Sequence, residues 1–358
     1  MKILAVFPEI VTRGGCERSL LALAENFDMD IITNKFSLEK TYEGYKKIKN
    51  RIIVLNQKNK LLFGLRLALT KFKGYDIFYS HGYFITNLLA LRNKPCIWYC
   101  HTPKRNLYHP FKEYYMKRIK NPFERILNSL TLFILSFVDK FLASRMSLII
   151  ANSVNIQTRI KTIYGIRAPV VYSTCIDEIE TSPAKDYYLA PGRLDPIKRV
   201  DLIIEAFNRM PDKKLVIAGS VTDKDYFKKL KKLSNKNIKI FSNVSEKKLK
   251  NLYKNCIATL YMPYMEDFGF IPVESMASGK PCIGANEGGL KESIINGKTG
   301  LLIKPTVDDI IRAVKWLTLK KADSMKENCL KTAKKFSKEN FIKDMRKIFE
   351  EIYRKYQK

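Results

Sequence analysis

Short, nearly unbroken apolar runs alternate along the chain with stretches in which apolar residues recur every three or four positions. The runs at 2–7, 30–33, 52–55, 76–80, 96–100, 147–151 and 169–172 are rich in β-branched and aromatic residues and predict strands. Between the first two, Leu20, Leu21, Leu23, Ala24 and Phe27 mark the apolar face of a helix. The scheme then repeats, with strands predicted at 187–190, 214–218, 237–241, 257–262, 281–284 and 300–303. Strands that are apolar on both faces and joined by helices belong to parallel sheets covered on both sides. Two such sets predict an α/β protein of two doubly wound, Rossmann-like domains, at 1–172 and 186–338. The linker is predicted at 173–185, where Ser182-Pro183 and the acidic Asp177, Glu178 and Glu180 interrupt the pattern. Residues 339–358 form a Lys-rich helix with no strand to follow, predicted to pack back toward the N-terminal domain.

A chain of 358 residues, 46% hydrophobic, suits two packed cores. Its 65 Lys and Arg outnumber 35 Asp and Glu, a net charge of +30 that points to anionic partners such as phosphate-bearing substrates, nucleic acid or an acidic membrane surface. The seven Cys show no CxxC pair and no zinc spacing, which excludes a disulfide scaffold and a structural zinc site as readings of the sequence. The N-terminal apolar stretch is too short for a signal h-region. The apolar run at 130–138 is broken by Thr131 and Ser136 and ended by Asp139 and Lys140, short of the roughly 20 residues a membrane span needs. A soluble, cytoplasmic protein is expected.

Ligands of doubly wound sheets bind beyond the carboxyl ends of the strands, so chemistry is sought there. After the first strand, Gly14-Gly15-Cys16-Glu17 opens a helix; it can bring backbone N–H groups to an anion, or serve as a tight turn. The spacing is neither GxGxxG nor GxxxxGK[ST], which argues against a dinucleotide oxidoreductase and a P-loop NTPase. After 187–190 come Gly192-Arg193-Leu194 and Lys198; the two cations suit a phosphate group, or are solvated surface charges. The segment Glu266-Asp267-Phe268-Gly269-Phe270-Ile271-Pro272-Val273-Glu274 is the sharpest. Pro272 at the first helical position and Gly279 past the end predict a helix over 272–278, with Glu274 in its first turn and Glu266 in the loop before it. Such a loop offers N–H groups while its carboxylates accept from hydroxyls, the two needs of a sugar-nucleotide; Glu274 could equally serve its helix dipole. His101 and His81 follow neighbouring strands, and no Ser-His-Asp arrangement is visible.

Together these segments, with Ala151-Asn152-Ser153, Asn243-Val244-Ser245, Gly288-Gly289…Glu292 and Asn296-Gly297…Gly300, resemble a family-4 retaining glycosyltransferase of the GT-B fold over nearly the whole chain. Tyr99-Cys100-His101-Thr102-Pro103 with Arg105 is similar to mannosyltransferases of polysaccharide assembly. The resemblance implies two sheets facing across a cleft and a hexose, mannose from GDP-mannose favoured, moved to a glycan or lipid-linked acceptor without metal or other cofactor. A UDP-sugar donor is the alternative. It implies that Arg193 and Lys198 bind the donor diphosphate, Glu266 holds sugar hydroxyls beside the backbone of Phe268, Gly269 and Phe270, and Glu274 accepts from the ribose. Asn243 and Val244 would lie near the base, His101 would contact the donor sugar, and Gly15 would face the diphosphate or the acceptor. Arg199, Asp267 and Ala218-Gly219-Ser220-Val221 depart from the family pattern.

Lys104, Arg105, Lys112, Lys117, Arg118 and Lys120, interleaved with Tyr108, Phe111, Tyr114, Tyr115 and Met116, suit anionic headgroups and a peripheral location on the inner face of the cell membrane, or else form a solvated Lys-rich helix with ordinary core aromatics. A nucleic-acid-binding protein is the remote alternative; no recognised module supports it, so no specific nucleic-acid partner is expected.

Overall fold

The computed structural model describes residues 1–173 and 180–357. The chain divides into two compact units, Met1–Cys175 with Lys338–Lys358, and Ile176–Ser337. Residues 174–179 of the expected linker lie outside the described residues. Its C-terminal part is tied to the second unit, through Ser182 Oγ to the Lys254 carbonyl (3.0 Å) and Lys185 N to the Asn255 carbonyl (2.7 Å).

In chain order the first unit contains β1 (Ile3–Val6), β2 (Glu9–Ile10), α1 (Gly15–Asn26), β3 (Met29–Thr33), β4 (Lys35–Phe36), β5 (Ile52–Val54), α2 (Lys60–Leu69) and β6 (Ile77–Ser80). It continues with β7 (Cys96–Cys100), α3 (Phe111–Lys117), α4 (Pro122–Ser144), β8 (Leu148–Ala151) and α5 (Val154–Tyr164). Its sheet runs β5-β3-β1-β6-β7-β8, with Ile3 opposite Met29 and Ile77. Every pairing is parallel, as apolar strands joined by helical crossovers require. The expected strand at 169–172 is only an isolated bridge, Ala151 to Val170, and β2 pairs with β4 in a small ladder the sequence pattern did not reveal.

The second unit contains β9 (Tyr188–Pro191), α6 (Val200–Asn208), β10 (Leu215–Gly219), α7 (Lys224–Leu233), β11 (Ile238–Ser242), α8 (Glu246–Asn255) and β12 (Thr259–Tyr261). Then come α9 (Phe270–Ala277), β13 (Cys282–Ala285), α10 (Leu290–Ser293), β14 (Gly300–Ile303), α11 (Val307–Trp316), α12 (Leu319–Ser324) and α13 (Lys326–Lys334). Its parallel sheet, β11-β10-β9-β12-β13-β14, repeats the order of the first. The last helix, α14 (Lys338–Gln357), belongs to the first unit, where Phe341, Met345, Phe349 and Ile352 share a core with Phe27, Tyr79 and Tyr99.

Side-chain caps set many helix starts: Asn59 on α2, Asn121 on α4, Ser153 on α5, Asp223 on α7 and Ser245 on α8 each accept from a first-turn amide. The α4 helix corrects one expectation. At 23 residues it is long and apolar enough to cross a membrane by length and composition, although most of it is not buried in the fold. Thr131 and Ser136, which broke the run in the sequence, sit inside one continuous helix, where their hydroxyls bond back to Leu127 and Phe133 carbonyls.

Candidate active site

In each sheet the strand order reverses once, and the crevice beyond the strand ends at that point is where such folds bind ligands. In the second unit the reversal lies between β9 and β12. The turn carrying Arg193 and Lys198 leaves β9, and the loop carrying Glu266 leaves β12, so the topology delivers both to one place.

Asp195 shapes the first turn by accepting from Ile197 N (3.0 Å), which closes the 3-10 turn Pro196–Lys198. Tyr264 N then donates to the Ile197 carbonyl (2.8 Å), tying this turn to the Glu266 loop. Lys198 is buried; its ammonium donates to Tyr261 Oη (2.8 Å) and pairs with Glu266 Oε2. The Tyr261 hydroxyl also donates to Glu266 Oε2 (2.9 Å). Lys198, Tyr261 and Glu266 thus form a closed triangle, in which a buried cation has its counter-charge and a shared hydroxyl. Glu266 rests against Gly269, where a Cβ would lie 3.4 Å from its Cγ.

The loop's shape depends on a second contact. Gly288 has φ +56°, and a Cβ there would come within 2.2 Å of the Glu266 carbonyl oxygen; Gly289 N donates to that oxygen (2.8 Å). Gly288-Gly289 therefore cradles the protein's own loop. Arg199, a departure from the family pattern, occupies left-handed backbone at φ +51°, the conformation that makes Gly usual there. It is held by a bidentate pair with Glu287 (3.1 Å for each bond) and lies over the Tyr264 ring, 5.1 Å from its centroid. Glu287 also accepts from Met265 N (3.3 Å), so this clasp grips the same loop from the side.

The helix after the loop starts earlier than expected. Gly269, at φ +87°, caps α9, which begins at Phe270; Pro272 is its third residue and Glu274 its fifth, outside the first turn. This corrects both the expected 272–278 span and the dipole reading of Glu274. Glu274 instead accepts from Tyr253 Oη (2.7 Å), and burial together with this carboxylate holds the Tyr253 hydroxyl well above the usual phenol range. The Phe268 ring is core, packed on Phe270 and Phe336, so only its backbone can face a ligand. Arg193 is exposed and has no ion-pair or hydrogen-bonding side-chain partner among the described residues. Asn243, also exposed at φ +51°, donates its N–H to the Gly219 carbonyl (2.8 Å), while Val244 packs on the core fringe with Phe241 and Leu249. A Cβ on Gly219 would strike the Gly192 carbonyl, so the Arg193 turn and the turn before Asn243 are neighbours through two glycines.

The N-terminal candidates sit at the corresponding reversal of the first sheet, between β1 and β6. Gly15 begins α1, and the Glu17 carboxylate lies over Gly14 at that helix start, where an anion would otherwise bind. Buried His81 contacts the Cys16 carbonyl through Nε2 (3.0 Å) and the Tyr79 hydroxyl through Nδ1 (3.0 Å). The carbonyl can only accept, so the His81 proton is on Nε2 and Nδ1 accepts from Tyr79. His101 Nε2, 3.1 Å from His81 Nε2, is then an acceptor, which leaves its own proton on Nδ1 as a donor. Burial pushes His81 down to about 4, and burial together with the His81 neighbour holds His101 well below the usual range, so both rings are neutral at pH 7. The third histidine, His109, is exposed just before α3 and contacts Glu113 (3.0 Å). Among the described residues no group of three or more His, Cys, Asp or Glu could hold a metal ion.

An ammonium at a strand end, on the same turn as an exposed guanidinium, can offset charge on a departing diphosphate, while the carboxylate paired with it can accept from sugar hydroxyls. Residues 176–336 match the profile described as "Glycosyl transferases group 1", and residues 13–178 match "Glycosyltransferase Family 4". The chain is a family-4 glycosyltransferase.

Among relatives of this glycosyltransferase, the alpha-1,3/1,6-mannosyltransferase ALG2 of Dictyostelium discoideum is 43% identical over 70 residues, 20% of this chain and only 17% of that protein. A trehalose synthase of Pyrococcus horikoshii is 24% identical over 348 residues, covering 91% of this chain and 80% of that one. The solved structure of Anabaena Alr3699/HepE in complex with UDP superimposes with a TM-score of 0.78 at 19% identity, covering 98% of this chain and 100% of that one. Sucrose-phosphate synthase from Thermosynechococcus elongatus gives 0.73 at 15%, over 99% of each. The structural likenesses establish the GT-B fold of the glycosyltransferase. Sequence reasoning missed Tyr261, Tyr253 and Glu287; Tyr261 lies within the apolar run at 257–262 and reads as core, Tyr253 sits in the Lys-rich helix α8, and Glu287 carried no signal beyond its place beside Gly288.

Proposed function

We propose that this glycosyltransferase moves a hexose, mannose from GDP-mannose, to a glycan or lipid-linked acceptor with retention of anomeric configuration and without a metal. The observation that carries the reading is the Lys198–Tyr261–Glu266 triangle at the β9/β12 strand ends, beside exposed Arg193. Arg193 and Lys198 would take the donor diphosphate and stabilise its charge as it leaves, the part a divalent ion plays in other transferases. Glu266 would hold sugar hydroxyls, with the backbone of Gly269 and Phe270 at the α9 start alongside. Glu274 would accept from the ribose, Asn243 and Val244 would border the base, and His101 and Gly15 would serve the sugar and the diphosphate or acceptor. The ALG2 relative, named a mannosyltransferase, favours mannose. A UDP-sugar donor is the second reading, favoured by HepE, solved with UDP-glucose and with UDP.

Thermal shift with GDP, UDP, ADP and their sugar conjugates, in EDTA, tests the donor, since a ligand of the folded state raises the melting temperature by mass action. A selective rise with GDP and GDP-mannose supports the proposal. A rise confined to UDP compounds replaces the donor, and no shift at millimolar concentration refutes the site.

A further inference from the structure

A helix on the outside of a water-exposed unit turns its apolar side inward. The α4 helix does this with Leu132, Leu142 and Ala143, which are buried, and carries a second apolar row on the opposite side. Its inward side also holds half-buried Asn128 and Ser136 and fully buried Asp139, whose carboxylate accepts from Tyr108 (2.8 Å) and Tyr164 (2.6 Å). Its outward side is a row of Phe123, Ile126, Leu130, Phe133, Phe137 and Phe141, each more than half exposed and Phe123 at 74%. At 3.6 residues per turn these positions fall on one stripe of a helix about 35 Å long. The α2 helix adds Leu61, Leu65 and Leu69, also exposed. Both helices pack on the 3-10 segment Thr86–Leu91, so their apolar rows lie on the same side of the first sheet.

The charge around this face has one sign. Residues 104–145 hold nine Lys and Arg against three Asp and Glu, of which Asp139 is buried. Residues 56–74, which include α2, hold five Lys and Arg and no acid. A second copy of the chain would bring this basic rim against itself across a two-fold axis, which like charges oppose. An anionic bilayer instead offers hydrocarbon to the row and phosphates to the rim.

We propose that the outward face of α4, flanked by α2, lies flat in the headgroup–acyl boundary of an anionic membrane. The helix has the length of a span, but spanning would pull Asp139 and its two tyrosine bonds into hydrocarbon, where a carboxylate is costly. The proposal stands apart from the transfer reaction and is tested without it.

The test is sedimentation of the full chain with phosphatidylcholine vesicles, with and without phosphatidylglycerol, at low and high salt. Wild type is expected to bind the anionic vesicles and to be released by salt. The double variant Phe133→Ser/Phe137→Ser should lose about a hundredfold or more in partitioning, with an unchanged melting temperature because both positions face outward. Each of Lys117→Ala, Arg118→Ala and Lys120→Ala should lose roughly fivefold. A Phe137→Trp variant should be quenched most by lipids brominated near the headgroup, against wild type as background. Failure to bind anionic vesicles overturns the proposal, as does equal binding by the Phe133→Ser/Phe137→Ser variant. Strongest quenching from bromines at the chain ends would mean a span. A solution dimer dissolved by the same double variant, with no vesicle binding, would mean a contact between copies.

Discussion

Replacing Lys198 by Met separates a structural from a chemical role for the triangle at the β9/β12 strand ends. The substitution keeps the stem and removes the charge, leaving the Glu266 carboxylate without its ammonium at a site where the two side chains are 15% and 8% exposed. Breaking a buried pair from one side costs 3–5 kcal/mol; with partial exposure and the Tyr261 hydroxyl retained, about 3 kcal/mol is expected. For a unit of this size that lowers the melting temperature by roughly 6–12 °C. Glu266→Gln should cost a similar amount from the other side. The double variant Lys198→Met/Glu266→Gln removes both charges and should melt within a few degrees of wild type, because deleting a whole buried pair is close to neutral. All three should lose at least about a hundredfold in turnover, the usual cost of removing a group that meets transition-state charge. The assays are calorimetric melting and nucleoside diphosphate release with the donor identified by thermal shift. A double variant that regains both stability and turnover would refute the reasoning, since the triangle would then be a scaffold. A double variant as unstable as the two singles summed would show that the pair is not energetically coupled.

Other outcomes follow from neighbouring geometry. Arg193→Ala should leave the melting temperature unchanged and weaken donor binding about 10- to 100-fold, measured by titration calorimetry, because the exposed guanidinium has no ion-pair partner to lose among the described residues. Gly288→Ala should cut turnover at least about tenfold, since its Cβ would displace the Glu266 carbonyl from 2.2 Å; wild-type kinetics would show that the loop tolerates the shift. His81 binds its proton less readily folded (about 4) than unfolded (about 6.5), so its stabilising contribution is full above pH 6.5 and is lost as pH falls toward 4. The loss amounts to about 3 kcal/mol at most, and melting from pH 7.5 to 4.5 should steepen in wild type relative to His81→Gln. Equal slopes would exclude the imidazole as the cause.

Apolar runs were enough to read two parallel sheets, because a strand buried on both faces has no polar alternation to obscure it. They failed where local geometry decides. The strand at 169–172 reduces to one bridge, and the α9 start moves back to Gly269 because a positive-φ glycine caps the helix before Pro272 can. Lys198 and Glu266 were each legible as candidates because each follows a strand, but their pairing was not; Tyr261, which joins them, lies in an apolar run and looks like core until its hydroxyl is placed. The α4 helix was misjudged for a different reason. Counting uninterrupted apolar residues misses an amphipathic stripe, and assuming that such a stripe faces the core misses one that faces out.

The placement of α14 has a consequence for synthesis. The core around Phe27, Tyr79 and Tyr99 is completed by Phe341, Met345, Phe349 and Ile352, which leave the ribosome after the whole second unit. Residues up to Cys175 emerge first, yet must wait on the order of 10–30 s at ordinary elongation rates for the helix that closes them. Ile176–Ser337 has no such dependence and can fold while the chain is still tethered. The order of maturation is therefore inverted relative to the order of translation. Until α14 has emerged the nascent N-terminal sheet keeps an uncovered aromatic surface, which makes the arrival of that helix, rather than the emergence of the sheet itself, the step that commits the first unit to its native state.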